Sequence, residues 1–223
     1  MTKPIAGLSA IVPVLNDDDA LRGLLCALED VHVVVVDAAV APATQALCAE
    51  LHADYVAGSP GRGLQISQGI NRTSADWLWM LHADTSLERA HVETMAEIVR
   101  TAEPCWGRFD ISIPGVQMVA WFMNHRSRLT KICTGDQAIF VHRDLLDAIG
   151  GMPAIPLMED IALTSALKRQ FRRRFRPLHT RLETSPRRWQ RRGVVRTILS
   201  MWSFRLRYYF GADAERLYRE YYG

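Results

Sequence analysis

The sequence lacks any apolar run near the roughly 20 residues that a membrane-spanning helix needs. It has only four cysteines, and no two of them form a CxxC pair, which argues against zinc-ribbon and thioredoxin-like motifs. The N-terminus carries no signal-peptide pattern, so we expect reduced thiols in a cytoplasmic protein. Internal repeats and low-complexity linkers are also absent.

The sequence has only a small excess of positive charge, with a formal net charge of +3, but the charged residues are unevenly distributed. Arginines crowd the stretch from residue 168 to 196 and give this part of the chain a positive field. No RRM or KH signature accompanies these arginines, so nucleic acid is not an expected partner.

What is present is a regular alternation of short apolar segments and segments of helical composition. Strands are predicted at residues 8–15, 31–36, 54–56 and 77–81, and helices at 20–28, 44–51, 64–73 and 87–101. This order predicts an α/β fold with a mostly parallel sheet flanked by helices. Ligands bind at the carboxyl ends of such strands, where this sequence has Asn16, Asp37 and Asp84.

The second half predicts strands at residues 108–113 and 137–141 and helices at 116–128, 143–149 and 159–172. We expect one domain over residues 1–193, with halves of about 1–102 and 103–193, and a helical extension over 194–223. The extension mixes aromatic and basic residues. It suits either an interfacial helix on a membrane or a helix packed on the domain.

Two carboxylates follow predicted strands. Asp84 could hold a hard divalent ion such as Mg²⁺ or Mn²⁺, or it could cap the next helix. Asp37 could accept hydrogen bonds from a base or ribose, or it could simply form a turn. The loop at residues 58–63 reads G-x-x-G-x-G, which is not the dinucleotide fingerprint, but it still offers backbone donors to an anion.

An acidic pair and a basic segment carry the remaining chemistry. Glu159 and Asp160 open a predicted helix, where one could act as a general base or both could favour the helix dipole. Arg188 and Trp189 combine a phosphate-binding guanidinium with a stacking surface, although arginine-rich segments are commonly just solvated.

In order and spacing, these motifs resemble the inverting family 2 glycosyltransferases of GT-A fold. The resemblance covers nearly the whole chain and is closest to a small bacterial branch with LHADT and PLMED motifs. It rests on VPVLND (12–17), GRGLQISQGIN (61–71), WLWMLHADT (77–85), GDQAIFVHRDLLDAIGGMPAIPLMED (135–160) and SPRRWQRRG (185–193).

The resemblance implies a nucleotide-sugar donor, expected to be UDP-linked, and a small or lipid-linked acceptor. It implies Asp160 as the catalytic base with Glu159 in support, and Asp84 as the ligand of Mn²⁺ or Mg²⁺. The implied nucleotide-binding residues are Pro13, Asn16, Asp37, Arg62, Gly63, Gln65 and Arg188. The implied acceptor-binding residues are Gly135, Asp136, Gln137 and Trp189.

Two positions depart from the family pattern. His82 stands where the first DxD carboxylate is expected, and Ala38–Val40 replaces the usual glycine and serine of the nucleotide loop. Two alternatives therefore stay open: a sugar-phosphate nucleotidyltransferase, and a non-catalytic nucleotide-sugar-binding module. Peripheral contact with the inner face of the membrane through the extension also stays open.

Overall fold

The computed structural model describes residues 4–184 and 193–222. Their centre is a mixed sheet of eight strands in the order β3-β2-β1-β4-β7-β6-β8-β5. The strands are β1 (Leu8–Val14), β2 (His32–Asp37), β3 (Asp54–Ala57), β4 (Trp77–Met80), β5 (Thr85–Ser86), β6 (Trp106–Ser112), β7 (Phe140–His142) and β8 (Phe175–Thr184). The predicted α/β fold is confirmed.

Helices cover the sheet and connect its strands. They are α1 (Asp18–Ala27), α2 (Pro42–Glu50), α3 (Arg62–Ile70), α4 (Arg89–Thr101), α5 (Gln117–Thr130), α6 (Arg143–Ala148), α7 (Glu159–Phe171), α8 (Val194–Tyr209) and α9 (Ala214–Tyr222). Two short 3-10 turns span Gly135–Gln137 and Arg172–Arg174.

The N-terminal half of the sheet is parallel. β1 pairs in parallel with β2 and β4, and β2 with β3. The four valines of β2 are buried, as expected for a strand covered on both faces by helices. The register aligns Val14 with Asp37 and Asp37 with Ala57, so these strands end together at one edge.

The C-terminal half adds antiparallel pairs, with β7 lying between β4 and β6. The strand predicted at residues 137–141 is wrong in its start, because residues 135–137 form a 3-10 turn. A capping box between Thr134 and Gln137 closes this turn, and Ala138 follows with a positive φ of 48°. β8, in the arginine-rich stretch, was not predicted; it pairs in parallel with β6.

The C-terminal helices pack on the second half of the sheet. Val194, Ile198 and Met201 of α8 contact a small apolar cluster that includes Ile111 and Met123. α9 folds back on α8 through an ion pair between Arg207 and Glu220 and a ring contact between Phe204 and Tyr221. Within the described ranges, no helix is both long and apolar enough to cross a membrane.

Candidate active site

A cleft opens where the N-termini of α3 and α7 meet the 3-10 turn at residues 135–137. Three carboxylates line it, from Asp136, Glu159 and Asp160. Arg62 and His82 line the same cleft, and α8 and α9 contribute its remaining wall. The acidic pair that was predicted from sequence therefore lies in a concave site lined by both charged and apolar side chains.

Asp160 is held in place by two backbone N–H groups, one from the 3-10 turn and one from the first turn of α7. Gly135 donates to Oδ2 at 2.9 Å, and Ile161 donates to Oδ1 at 2.7 Å. The side chain is half-buried and still lines the cleft. Since a carboxylate has about four acceptor sites, two hydrogen bonds orient Asp160 and leave lone pairs free for a ligand hydroxyl.

Glu159 lies deeper, with only 3% of its surface exposed. Burial, together with the nearby negative charge of Asp160, raises the pKa of Glu159 to about 7. Arg62 acts in the opposite direction, because its Nε lies 3.8 Å from Glu159 Oε1. The pair thus places two carboxyl groups with different environments at one helix start.

We expect Glu159→Gln to stabilise the protein at alkaline pH. The folded-state pKa of Glu159 lies above its ordinary value of 4.5, so the fold binds this proton more tightly than the unfolded chain does. Stability is therefore lost as pH rises from about 4.5 through 7, by about 3 kcal/mol at most. The difference between the melting temperatures at pH 5 and pH 8 should be smaller for the variant than for the wild type. An equal decrease in melting temperature from pH 5 to pH 8 in the variant and the wild type would contradict this.

α3 approaches the α7 segment closely because residue 63 is glycine. A Cβ on Gly63 would collide with the carbonyl oxygen of Ile155, lie 2.5 Å from that of Pro153 and 2.9 Å from Glu159 Cβ. Gln65, two residues further along α3, is buried and donates to the carbonyls of Val14 and Val36 at 2.9 and 2.8 Å. Gln65 therefore ties the ends of β1 and β2 together.

The other predicted nucleotide residues lie at the ends of β1 and β2. Pro13 is half-buried, and Asn16 is exposed with a positive φ of 54°. Asp37 is fully buried, and its carboxylate accepts hydrogen bonds from the backbone of Ala39 (2.8 Å) and Ala41 (2.7 Å). In this structure Asp37 shapes the loop after β2 and presents no surface to a ligand.

The sequence LHADT after β4 contributes two side chains of different kinds. His82 Nδ1 lies 3.2 Å from Asp136 Oδ1, and its buried Nε2 has no hydrogen-bond partner within the described part of the chain. Gly135 packs directly on this ring, where a Cβ would lie 3.0 Å from His82 Cε1. Asp84 is half-buried and outside the residues that line the cleft.

The described residues offer a divalent ion one mode of binding, through Asp84. Across residues 4–184 and 193–222, no three histidine, cysteine or acidic side chains converge as metal ligands. Asp84 makes no hydrogen bond or ion pair within those residues and so offers one hard oxygen ligand. Mg²⁺ commonly binds through one or two carboxylates with the rest of its ligands from phosphates and water. The residues present fit that arrangement.

The remaining predicted residues divide into three groups. Gly135 and Asp136, which the resemblance assigns to acceptor binding, line the cleft. Gln137 is fully buried and instead donates to Ser127 Oγ at 3.0 Å, which holds the turn in place. Arg188 and Trp189 lie outside the described residues.

The contribution of α8 to the cleft was not predicted from the sequence. Met201, Phe204 and Arg205 line it beside Asp160, as does Tyr221 of α9. Burial and the charge of Asp160 also raise the pKa of Tyr208. Only the packing of α8 on α5 brings residues so distant in sequence to Asp160; spacing alone cannot indicate it.

Comparison with solved structures shows the GT-A glycosyltransferase fold. Residues 1–349 of Staphylococcus aureus TarS match with a TM-score of 0.66 and 15% identity, covering 80% of this chain. Glucosyl-3-phosphoglycerate synthase from Mycobacterium tuberculosis, bound to Mn²⁺, UDP and product, matches at 0.60 with 15% identity over 79% of this chain and 70% of its own.

The mannosyltransferase PcManGT from Pyrobaculum calidifontis, solved with GDP-Man and Mn²⁺, matches with a TM-score of 0.63 and 17% identity over 92% of this chain and 61% of its own. The chain spans about 60% of the TarS structure. No curated protein sequence matches it. The sequence model described as "Glycosyl transferase family 2" matches residues 9–199, most of the chain, and the protein therefore belongs to that family.

Proposed function

We propose that this glycosyltransferase moves a sugar from a nucleoside diphosphate sugar to an acceptor hydroxyl with inversion, using Asp160 as the base. The observation that carries the proposal is the position of Asp160. Its carboxylate is oriented by two backbone N–H groups and borders the cleft that Arg62 and His82 also line. A base fixed in this way matches the need of general base catalysis for a positioned acceptor of the proton.

In the proposed reaction, Asp160 takes the proton of the acceptor hydroxyl as the hydroxyl oxygen attacks the anomeric carbon. The new C–O bond forms while the bond to the diphosphate breaks, and the nucleoside diphosphate leaves with the electron pair. Attack opposite to the leaving group inverts the anomeric centre. Positioning and electrostatic stabilisation supply the rate enhancement, without a covalent intermediate.

The donor would lie along the ends of β1 and β2 and the N-terminus of α3. The first turn of α3 presents backbone N–H groups to an anion, and Arg62 adds a positive charge there. Asp84, with diphosphate oxygens and water, would hold Mn²⁺ or Mg²⁺, which offsets the negative charge of the leaving group. UDP and Mn²⁺ in the M. tuberculosis synthase and GDP-Man and Mn²⁺ in PcManGT support this choice of donor and metal.

The conformation of the loop after β2 bears on one alternative, a nucleotide-sugar-binding module without turnover. The carboxylate of Asp37 already accepts hydrogen bonds from the backbone of Ala39 and Ala41. It is therefore not available to bind the nucleobase of a donor. A binding module without turnover has the same fold and would tolerate this. Release of nucleoside diphosphate from a panel of UDP- and GDP-sugars with an acceptor separates the enzyme from the module, and release of pyrophosphate would indicate a nucleotidyltransferase.

Asp84→Asn is expected to raise the Mn²⁺ concentration for half-maximal activity about tenfold or more, because an amide oxygen is a weaker ligand than a carboxylate. The measurement is a Mn²⁺ titration of nucleoside diphosphate release at saturating donor. Asp147→Asn, an exposed carboxylate on α6, is the matched control and should leave the curve unchanged. Coincident titration curves for Asp84→Asn and the wild type would remove Asp84 from the metal site.

A further inference from the structure

An apolar groove runs between α5 and α8, next to the cleft. It has a volume of about 310 Å³, which falls in the usual range for small-molecule sites. Phe122 and Met123 form one side of the groove, and Ile198, Met201 and Trp202 form the other. Phe122 and Trp202 are each more than half exposed, and large apolar side chains clustered at a surface mark a binding region.

The groove adjoins the cleft and shares two lining residues with it. Met201 and Arg205 line both, and Asp160 borders the cleft end. A single elongated ligand can therefore occupy the groove and still reach the carboxylate of Asp160. A ligand held in the groove accounts for its concave shape and for the residues it shares with the cleft.

Two guanidinium groups lie where the groove meets the cleft. Arg126 donates through Nη1 to the carbonyl of Ile132 at 3.2 Å, while its buried Nη2 has no partner within the described part of the chain. Burial and the neighbouring charge of Arg205 lower the pKa of Arg126 to about 10, although the negative charge of Asp160 opposes this. Within the same residues, Arg205 forms no ion pair.

A buried guanidinium nitrogen without a partner is costly, and two neighbouring cations repel each other. An anionic group bound between Arg126 and Arg205 would relieve both costs through charge-assisted hydrogen bonds. The junction is therefore complementary to a ligand that is apolar on one side and acidic on the other.

We propose that the acceptor is an anionic amphiphile whose alkyl chain lies in the groove between α5 and α8. Its acid group binds Arg126 and Arg205, and its hydroxyl faces Asp160. The inference rests on the proposed function, since it assigns the acceptor class for that same base. It also gives α8 a role in acceptor selection.

Calorimetric titration of the full chain with dodecyl phosphate, below its micellar concentration, tests the proposal. Dodecyl phosphate is expected to bind at least tenfold more tightly than ethyl phosphate, because only the long chain fills the groove. Phe122→Ser and Trp202→Ser should each weaken dodecyl phosphate binding about tenfold without affecting ethyl phosphate. Arg205→Gln should weaken the binding of both phosphates.

Leu129→Ser and Leu199→Ser are matched controls, since they remove exposed leucines from the same two helices outside the groove and should change nothing. Equal affinity for the two phosphates, or unchanged dodecyl phosphate binding in both groove variants, would overturn the proposal. A dimer in sedimentation experiments that the Phe122→Ser variant no longer forms would also overturn it. The same holds if the protein bound phosphatidylglycerol vesicles but not dodecyl phosphate. UDP binding with Mn²⁺, measured in parallel, distinguishes this failure from failure of the proposed function.

Discussion

Replacing Asp160 with asparagine is expected to lower kcat by about 10²- to 10⁴-fold, the usual contribution of a general base. The variant keeps the size of the side chain and its place at the start of α7 but cannot accept the hydroxyl proton. The affinity for the donor nucleotide should change little, because the proposed role of Asp160 is to contact the acceptor hydroxyl. Single-turnover transfer at saturating donor and acceptor measures the effect.

Asparagine also has a predictable structural cost at this position. Both oxygens of Asp160 accept backbone N–H groups, from Gly135 and Ile161, so the amide NH₂ of asparagine must face one of these donors. One hydrogen bond is lost, at a cost of about 1–3 kcal/mol. A melting curve therefore belongs beside the kinetic measurement, to show that the variant is folded at the assay temperature.

Asp144→Asn is the matched control, because Asp144 is an exposed carboxylate in the first turn of α6. Its kcat should equal that of the wild type. If Asp160→Asn remained folded and retained more than a tenth of wild-type kcat, the role of Asp160 as the base would be wrong.

The parallel half of the fold was predictable from sequence because its signals are local. Four consecutive valines are typical of a strand that is buried on both faces. The strand register places Asp37 at the same edge of the sheet as Val14. The residues adjacent to Glu159 and Asp160 likewise predicted that the pair lies at the start of a helix. That these two carboxylates line a cleft needed the tertiary structure.

The rest depended on distant contacts. β8 mixes charged, polar and apolar residues without regular alternation in an arginine-rich stretch, and its strand conformation is seen in its pairing with β6 and β5. The environment of Asp37 is set by two backbone N–H groups of the following loop, which residue types do not reveal. The contribution of Arg205 to the cleft follows from the packing of α8 on α5, some 80 residues earlier in the chain.

Gly63→Ala is expected to destabilise the fold and disable the site together. The new Cβ would collide with the backbone carbonyls of Ile155 and Pro153, which cannot rotate away as a flexible side chain would. α3 must then move off the segment that precedes α7, at a cost of about 1–3 kcal/mol. Because Arg62 and Glu159 lie on the two sides of this contact, we expect kcat/KM to fall about tenfold or more.

Gly23→Ala provides the control for the glycine-to-alanine change itself. Gly23 lies within α1, and a Cβ there would meet nothing within 4 Å, so alanine should stabilise the protein by about 0.5–1 kcal/mol. Thermal melts should thus move in opposite directions for the two variants. If Gly63→Ala melted at or above the wild-type temperature with unchanged kcat/KM, the close contact between α3 and the α7 segment would not be what positions Arg62 and Glu159.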